Sequence, residues 1–468
     1  MKLIKKTVSV LALLFVVFAM TGCAALLGKL ANKIEEETPA PENPSVTTED
    51  PSSFIARYGK MYTITIKAER EDNGLLTFQW YKGASNNRDA AVAIDGAAAK
   101  LSAYVFTTPV APAKDGEVSY YWCKVTNTNA KTGKKAEAWS SSFKVTVTNI
   151  WTVDSEIDEP TLWSSDYTYY IPDNATLWVN KSLSIPAGTV IKFGKNAKME
   201  TYETGTINAI GTKAAPIVFT SYRDNSQGIT ISDYASETVQ KGDWSGVKVN
   251  GTTGSNFTYC KFTYADKTAL VLNKTTTVAA CTFTNNQSDT DYSGALYIGG
   301  DAYKSLVTSC IFYNNDWPIE VPSAFEVDST NIFHNPDAET VKNKNQAIVV
   351  CSTEIPTGNF SWNIEELPYF CKDVNSTLWV NGTLNIGKNG ENVIVKMALG
   401  SSIREYEAGK INIGTNAILT SYRDKDNGGD IFAGGDTSAP DEDGDWNGVI
   451  KNDKKVLDNP NIKYFNKD

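Results

Sequence analysis

His334 is the only histidine in 468 residues, which removes any zinc site of several imidazoles and leaves a Ser-His-Asp triad one residue to recruit. Carboxylates are more abundant. Asp441-Glu442-Asp443-Gly444-Asp445 sets Asp441, Asp443 and Asp445 at alternate positions of a Gly-rich loop, with Asp424, Asp426, Asp430 and Asp436 upstream. Hard oxygen ligands at that density could hold calcium, the one cofactor the chain suggests. The string departs from an EF-hand, because Trp446 stands where the sixth-position glycine belongs, and a plain acidic loop is the competing reading. Arg223-Asp224 and Arg423-Asp424 are the most tempting charged pairs, yet both sit in turn-like contexts that suit a structural ion pair. A glycosidase needs two or three carboxylates converging on one groove. A lyase needs acidic calcium ligands and a basic proton acceptor. No string here sets out either arrangement, so no catalytic residue is assigned. Cys351 and Cys371, twenty residues apart, are the disulfide candidates in an exported chain.

Export is read from the first segment. Lys2, Lys5 and Lys6 precede an apolar run from Val8 to Met20, too short to span a bilayer comfortably. The run ends in Met20-Thr21-Gly22-Cys23, which resembles the lipobox of bacterial lipoproteins. That resemblance implies cleavage after residue 22, lipidation of Cys23 (palmitate among the acyl chains), and anchoring to the envelope, outer membrane or cell surface. Each buried methylene would contribute about 0.8 kcal/mol. Residues 23–50, rich in Glu and Pro, read as a tether.

Residues 51–148 alternate as strands should: Tyr62, Ile64 and Ile66 alternate with threonines, Asp72-Asn73-Gly74 marks a turn, and Gln79-Trp80-Tyr81-Lys82 and Tyr121-Trp122-Cys123 follow. These strings resemble bacterial immunoglobulin-like domains, with Trp80 as the core tryptophan and Tyr121 two residues before Cys123 at the tyrosine corner. Ile64 and Ile66 stand where the partner cysteine belongs, so Cys123 is expected to be a buried thiol.

Residues 149–468 carry short β-rich runs with Gly, Asn and Asp turns. Tyr259-Cys260-Lys261-Phe262, Ala280-Cys281-Thr282-Phe283 and Ser309-Cys310-Ile311-Phe312 align, and Asn331-Ile332-Phe333-His334 makes a fourth run. Spacings of 21, 29 and 21 residues suit coils of a solenoid with internal sulfur and aromatic ladders. Asn286, Asn315 and Asn335 fall where a coil must turn. A larger duplication overlies the coils. Ala175-Thr176-Leu177-Trp178-Val179-Asn180 recurs as Ser376-Thr377-Leu378-Trp379-Val380-Asn381, Tyr202-Glu203-Thr204-Gly205 as Tyr406-Glu407-Ala408-Gly409, and the Thr-Ser-Tyr-Arg-Asp and Gly-Asp-Trp strings recur likewise, at offsets of 200 to 204. These strings resemble bacterial surface and secreted proteins with right-handed parallel β-helix repeats, a fold that also hosts pectate lyases, polygalacturonases and adhesins.

The expected fold is therefore all-β: an immunoglobulin-like β-sandwich at 51–148, then a right-handed parallel β-helix (solenoid) with an internal duplication. The first copy runs over 149–347 and the second, truncated copy over 348–468. Formal charge is −10 for the chain; without the three leader lysines it becomes −13, which divides as −4 on 23–50, +5 on 51–148 and −14 on 149–468. That balance argues against nucleic-acid partners. The function expected is a lipid-anchored, non-catalytic envelope protein acting in adhesion or in binding a glycan or surface protein. A polysaccharide lyase or glycoside hydrolase is the first alternative and a purely structural envelope component the second. Outward Tyr and Trp residues, including Tyr167-Thr168-Tyr169-Tyr170, are candidate sugar-stacking surfaces or cap packing.

Overall fold

The computed structural model describes residues 40–110, 115–153, 155–288, 293–433, 438–442 and 444–468, together with Lys29. Cys23 and the rest of the leader lie outside the described residues. The chain divides into two compact units between Asn149 and Ile150.

The first unit is a two-sheet sandwich. Ser45–Thr48, Met61–Glu69 and Ala103–Thr107 form one antiparallel sheet. The other runs Ser53–Ala56, Phe143–Val147, Glu117–Thr128, Leu75–Gly83, Val92–Ala93, with Lys135–Trp139 on Glu117–Thr128. Period-2 alternation turns Ile64, Ile66, Trp80, Tyr121, Val145 and Phe143 into one shared core. Cys123 is a free, fully buried thiol, and burial pushes it up to about 12. The sandwich begins earlier than the sequence reading has it: Ser45–Thr48, placed in the tether, pairs with Met61–Glu69 from Ser45↔Glu69 to Thr48↔Ile66. Its β-branched Val46, Thr47 and Thr48 suit an edge strand.

The second unit is a right-handed-type parallel β-solenoid. Its coils are closed by three strand positions, and like positions of successive coils pair in parallel. The longest stack has ten strands: Thr176–Val179, Lys198–Thr201, Val247–Val249, Leu270–Leu272, Leu296–Ile298, Ile319–Val321, Ile348–Val350, Tyr369–Cys371, Ile394–Met397 and Ile418–Ser421. Seven-stranded and six-stranded stacks complete the early coils, and five-stranded and three-stranded stacks the later ones.

The interior is laddered as the Cys-Phe spacing predicts. Phe219, Phe262, Phe283, Phe312 and Phe333 stack ring on ring at 4.7, 5.0, 4.9 and 5.4 Å. Cys260, Cys281 and Cys310 are buried free thiols beside them, and Asn331 takes the next rung, its Oδ1 accepting from the Cys310 N–H at 2.9 Å. A buried asparagine ladder marks the turns. Asn286 Nδ2 donates to Asn315 Oδ1 (2.8 Å), and Asn315 Nδ2 donates to Asn343 Oδ1 (3.0 Å). The third rung is thus Asn343, not Asn335, because a hairpin of His334–Asn335 and Ala338–Lys342 interrupts that coil and returns the chain to the ladder eight residues later.

The two copies belong to one solenoid. Ile348–Val350 of the second copy stacks on Ile319–Val321 of the first within the ten-stranded sheet, with no break between copies. The duplication is also shifted by one strand position. Thr176–Val179, with the first Leu-Trp-Val string, lies in the ten-stranded sheet, whereas its equivalent Thr377–Val380 lies in the five-stranded sheet. The strand before the first Thr-Ser-Tyr-Arg-Asp turn, Ile217–Ser221, lies in the seven-stranded sheet, and its equivalent Ile418–Ser421 in the ten-stranded one.

Candidate functional site

The pairing register of the ten-stranded sheet fixes an outward row. Because alternate residues leave opposite faces, the row reads Trp178, Glu200, Lys248, Val271, Tyr297, Glu320, Val349, Phe370, Lys396 and Thr420, one residue per coil. The row divides chemically. From Val349 onward it is roofed: Ile431 and Phe432 fold back over Trp317, Val349, Phe370 and Ala398, and the Gln346 N–H donates to the Ile431 carbonyl at 3.2 Å. Before that roof it is open, and a groove of about 650 Å³ is lined by Lys198, Lys248, Asn250, Asn273, Tyr297, Glu320 and Lys372 among others.

Charges in this groove are paired. Glu200, almost fully buried, takes Lys198 at 2.6 Å and Lys248 at 3.6 Å. Glu320, equally buried, takes Lys372 at 2.9 Å. Burial works to lower the Lys372 ammonium, but its hydrogen bond and attraction to Glu320 prevail and its pKa is raised. Tyr297, between the two ion pairs, is raised chiefly by burial.

Toward the N-terminus, where Trp178 follows Glu200 on the outward row, a second hollow of about 450 Å³ is lined by Glu156, Asp158, Trp178, Asn180, Lys181, Tyr202 and Glu203. Trp178 and Tyr202 meet edge to face, centroids 6.0 Å apart at 72°, and Tyr202 is 55% exposed. Asn180 Nδ2 donates to Glu156 Oε2 (2.9 Å) and Asp158 Oδ1 (2.7 Å), so two carboxylates of the preceding coil are held at the rim. The Tyr202 turn is built for this place. Glu203 is left-handed at φ 48°, and a Cβ on Gly205 would lie 1.6 Å from the Val179 carbonyl oxygen, so only glycine lets the turn close on the strand below.

The residues singled out in the sequence scatter elsewhere. Asp445 is not an open calcium ligand: it is buried, Ser421 Oγ donates to its Oδ2 at 2.5 Å and Arg423 Nη1 to its Oδ1 at 3.2 Å. The first copy repeats the arrangement with Ser221, Arg223 and Asp243, at 2.6 and 2.8 Å. Asp224 and Asp424 likewise accept from Thr220 and Thr420 and shape turns. The Arg-Asp strings are structural clamps beneath Trp244 and Trp446. Asp441 is exposed and Asp443 lies outside the described residues; among the described residues no three acidic, histidine or cysteine side chains group for a metal.

Cys351 and Cys371 are both free. Val350, not Cys351, is the register partner of Cys371, so Cys371 faces the core while Cys351 leaves the opposite face beside Tyr297 and Glu320. His334 Nδ1 lies 2.7 Å from Glu366 Oε1 in the hairpin. Of the tyrosine run, Tyr169 packs flat on Trp163 at 3.9 Å, which is cap packing.

Sequence reasoning missed Glu200, Lys248, Tyr297, Glu320 and Lys372. The coils that align them differ in length, one of them enlarged by residues 222–243, so no constant period connects them. Asn180 and Trp178 were visible as part of the duplication, but not their convergence with Glu156 and Asp158.

What these features define is a parallel β-solenoid protein with an open, polar and aromatic outer face. No protein-family model matches the chain, and no curated protein matches it. Among solved structures it is similar to pectate lyase PelI from Erwinia chrysanthemi, at 12% identity over 91% of this chain and 98% of that one, with a TM-score of 0.15. Pectate lyase Pel3 from Pectobacterium carotovorum aligns at 10% identity over 90% and 97%, with a TM-score of 0.16. Likeness at that level leaves the chemistry to be argued from this chain's own residues.

Proposed function

We propose that the solenoid is a non-catalytic glycan-binding protein whose ligand lies along the open half of the ten-stranded face. The observation that carries this is the Trp178–Tyr202 corner with the Asn180, Glu156 and Asp158 rim, on the same sheet face as a groove of amides and paired charges. An indole offers its face to the C–H surface of a sugar ring, while fixed carboxylates and amides exchange hydrogen bonds with hydroxyls. One coil advances the chain by about 4.8 Å, so the groove presents one similar rung after another to a repeating polymer.

A polysaccharide lyase is the second reading, favoured by the nearness of ammonium and carboxylate groups in that groove. A lyase base must be able to lose its proton near neutral pH. The ion pair of Lys372 with Glu320 opposes this, because it raises the Lys372 pKa. Binding is therefore the better account. We further propose that the Cys23 lipid anchor places the protein on the bacterial envelope, with an immunoglobulin-like module between anchor and solenoid. Incubation with a polysaccharide panel, followed by mass spectrometry, separates the two readings. Retained, intact chains support binding; shortened chains or 4,5-unsaturated ends would establish the lyase instead.

A further inference from the structure

We propose that the duplicated copy builds a second, weaker saccharide site on a different face of the solenoid, around Trp379, Asn381, Tyr406 and Glu354, which makes the protein bivalent. The inference rests on the glycan-binding reading of the first corner, whose parts it reproduces.

The correspondence is one of assembled side chains, not only of strings. Trp379 and Tyr406 meet edge to face at 5.7 Å and 87°, as Trp178 and Tyr202 do. Asn381 Nδ2 donates to Glu354 Oε1 at 2.6 Å, and Glu354, like Glu156 and Asp158, comes from the preceding coil. The tyrosine turn is closed by the same device: Glu407 is left-handed at φ 52°, and a Cβ on Gly409 would lie 1.7 Å from the Val380 carbonyl oxygen. Trp379 is 37% and Tyr406 47% exposed, so neither ring is spent on the core. The hollow they line, with Thr353, measures about 240 Å³.

The core residues on either side, Leu177 and Val179 or Leu378 and Val380, fix the strand without help from the outward indole. The shift of one strand position then separates the two corners. Trp178 opens on the ten-stranded sheet and Trp379 on the five-stranded sheet, so one straight glycan segment cannot occupy both.

The sites also differ. The second is smaller, has one rim carboxylate where the first has two, and has Arg404 where the first has Glu200. The Arg404 guanidinium lies 5.5 Å over the Trp379 ring and pairs with Asp453 at 2.6 Å, covering part of the indole. A smaller hollow and fewer acceptors give weaker binding. Carboxylate-lined rims disfavour uronates, and the aromatic rings offer a surface to the C–H face of a sugar, so the ligand class is a neutral hexose chain.

The test is calorimetric titration of the purified protein with cellohexaose, repeated on Trp178→Ala, Trp379→Ala and the double variant. Two sites are expected in the wild type, one in each single variant and none in the double, each lost site weakened at least about tenfold. Tyr406→Ala, a change at a half-exposed residue, should reproduce Trp379→Ala if that variant folds poorly. A wild-type stoichiometry of one, abolished by Trp178→Ala and untouched by Trp379→Ala and Tyr406→Ala, would overturn the second site and leave the first. No heat with cellohexaose, with chitohexaose or with hexagalacturonate would overturn the glycan reading itself, and the second site with it.

Discussion

Lys192 and Lys396, equivalent residues of the two copies, are both fully buried on the outward side of their strands. Burial lowers each to about 8, against the pull of Asp224 and Asp424 respectively. They are not equally served. Lys396 Nζ donates to the Asp424 carbonyl and to the Gly429 carbonyl at 2.7 Å, whereas Lys192 Nζ has no hydrogen-bond partner among the described residues. An amine whose folded pKa lies below its unfolded value, about 10.4, binds fewer protons folded than unfolded between pH 8 and 10. Stability therefore rises with pH across that window, and below pH 8 the whole cost of the buried ammonium is present. Lys192→Met should raise stability at pH 7 by about 1–3 kcal/mol, with a smaller gain at pH 10, as read by calorimetry at both pH values. Lys396→Met should gain less, because it strips two carbonyls of their donor. Sequence gave no sign of either group: an outward lysine in a Val-Ile-Lys-Phe strand reads as solvated, and only the loops after Asp224 and Asp424, folding back over the sheet, bury it.

At the scale of elements, the ladders were the most legible feature, since Cys and Phe two apart on a strand must share a face and a 21-residue repeat brings like faces together. Phe283 sits between Phe262 and Phe312 and is fully buried. Phe283→Ala should cost about 3–5 kcal/mol, measured as a fall in the denaturation midpoint of the solenoid transition, because the rings above and below cannot close a gap whose height the backbone coils set. Legibility failed where a coil is interrupted. The hairpin at His334–Lys342 moved the asparagine rung from Asn335 to Asn343. The twenty residues between Cys351 and Cys371 do place them on neighbouring coils, but pairing needs the same side of the sheet. A register one residue off puts the two sulfurs on opposite sides.

For the whole molecule, near-constant offsets announced a duplication but not its phase. Phase depends on how many strand positions the chain consumes between copies, which the spacing of the strings does not reveal. The consequence is functional: repeated strings that would have lined one face instead open on two. The candidate groove was the least legible part, because its members come from six coils of unequal length and are ordinary residues one by one. Envelope anchoring belongs to this scale too. Cys23→Ala, or globomycin treatment, should abolish lipid labelling and release the protein from the membrane fraction; unchanged labelling and retention would remove the anchor from the account.

The central claim is that the open half of the ten-stranded face holds a glycan without cleaving it. The most direct measurement is a glycan array probed in parallel with the wild-type protein and with a Trp178→Ala, Tyr297→Ala variant shown by circular dichroism to be folded. The account predicts a defined set of bound glycans, left chemically intact by the wild-type protein, with the signal reduced at least about tenfold in the variant. Equal binding by the two proteins, or cleavage of the glycans by the wild type, would contradict it.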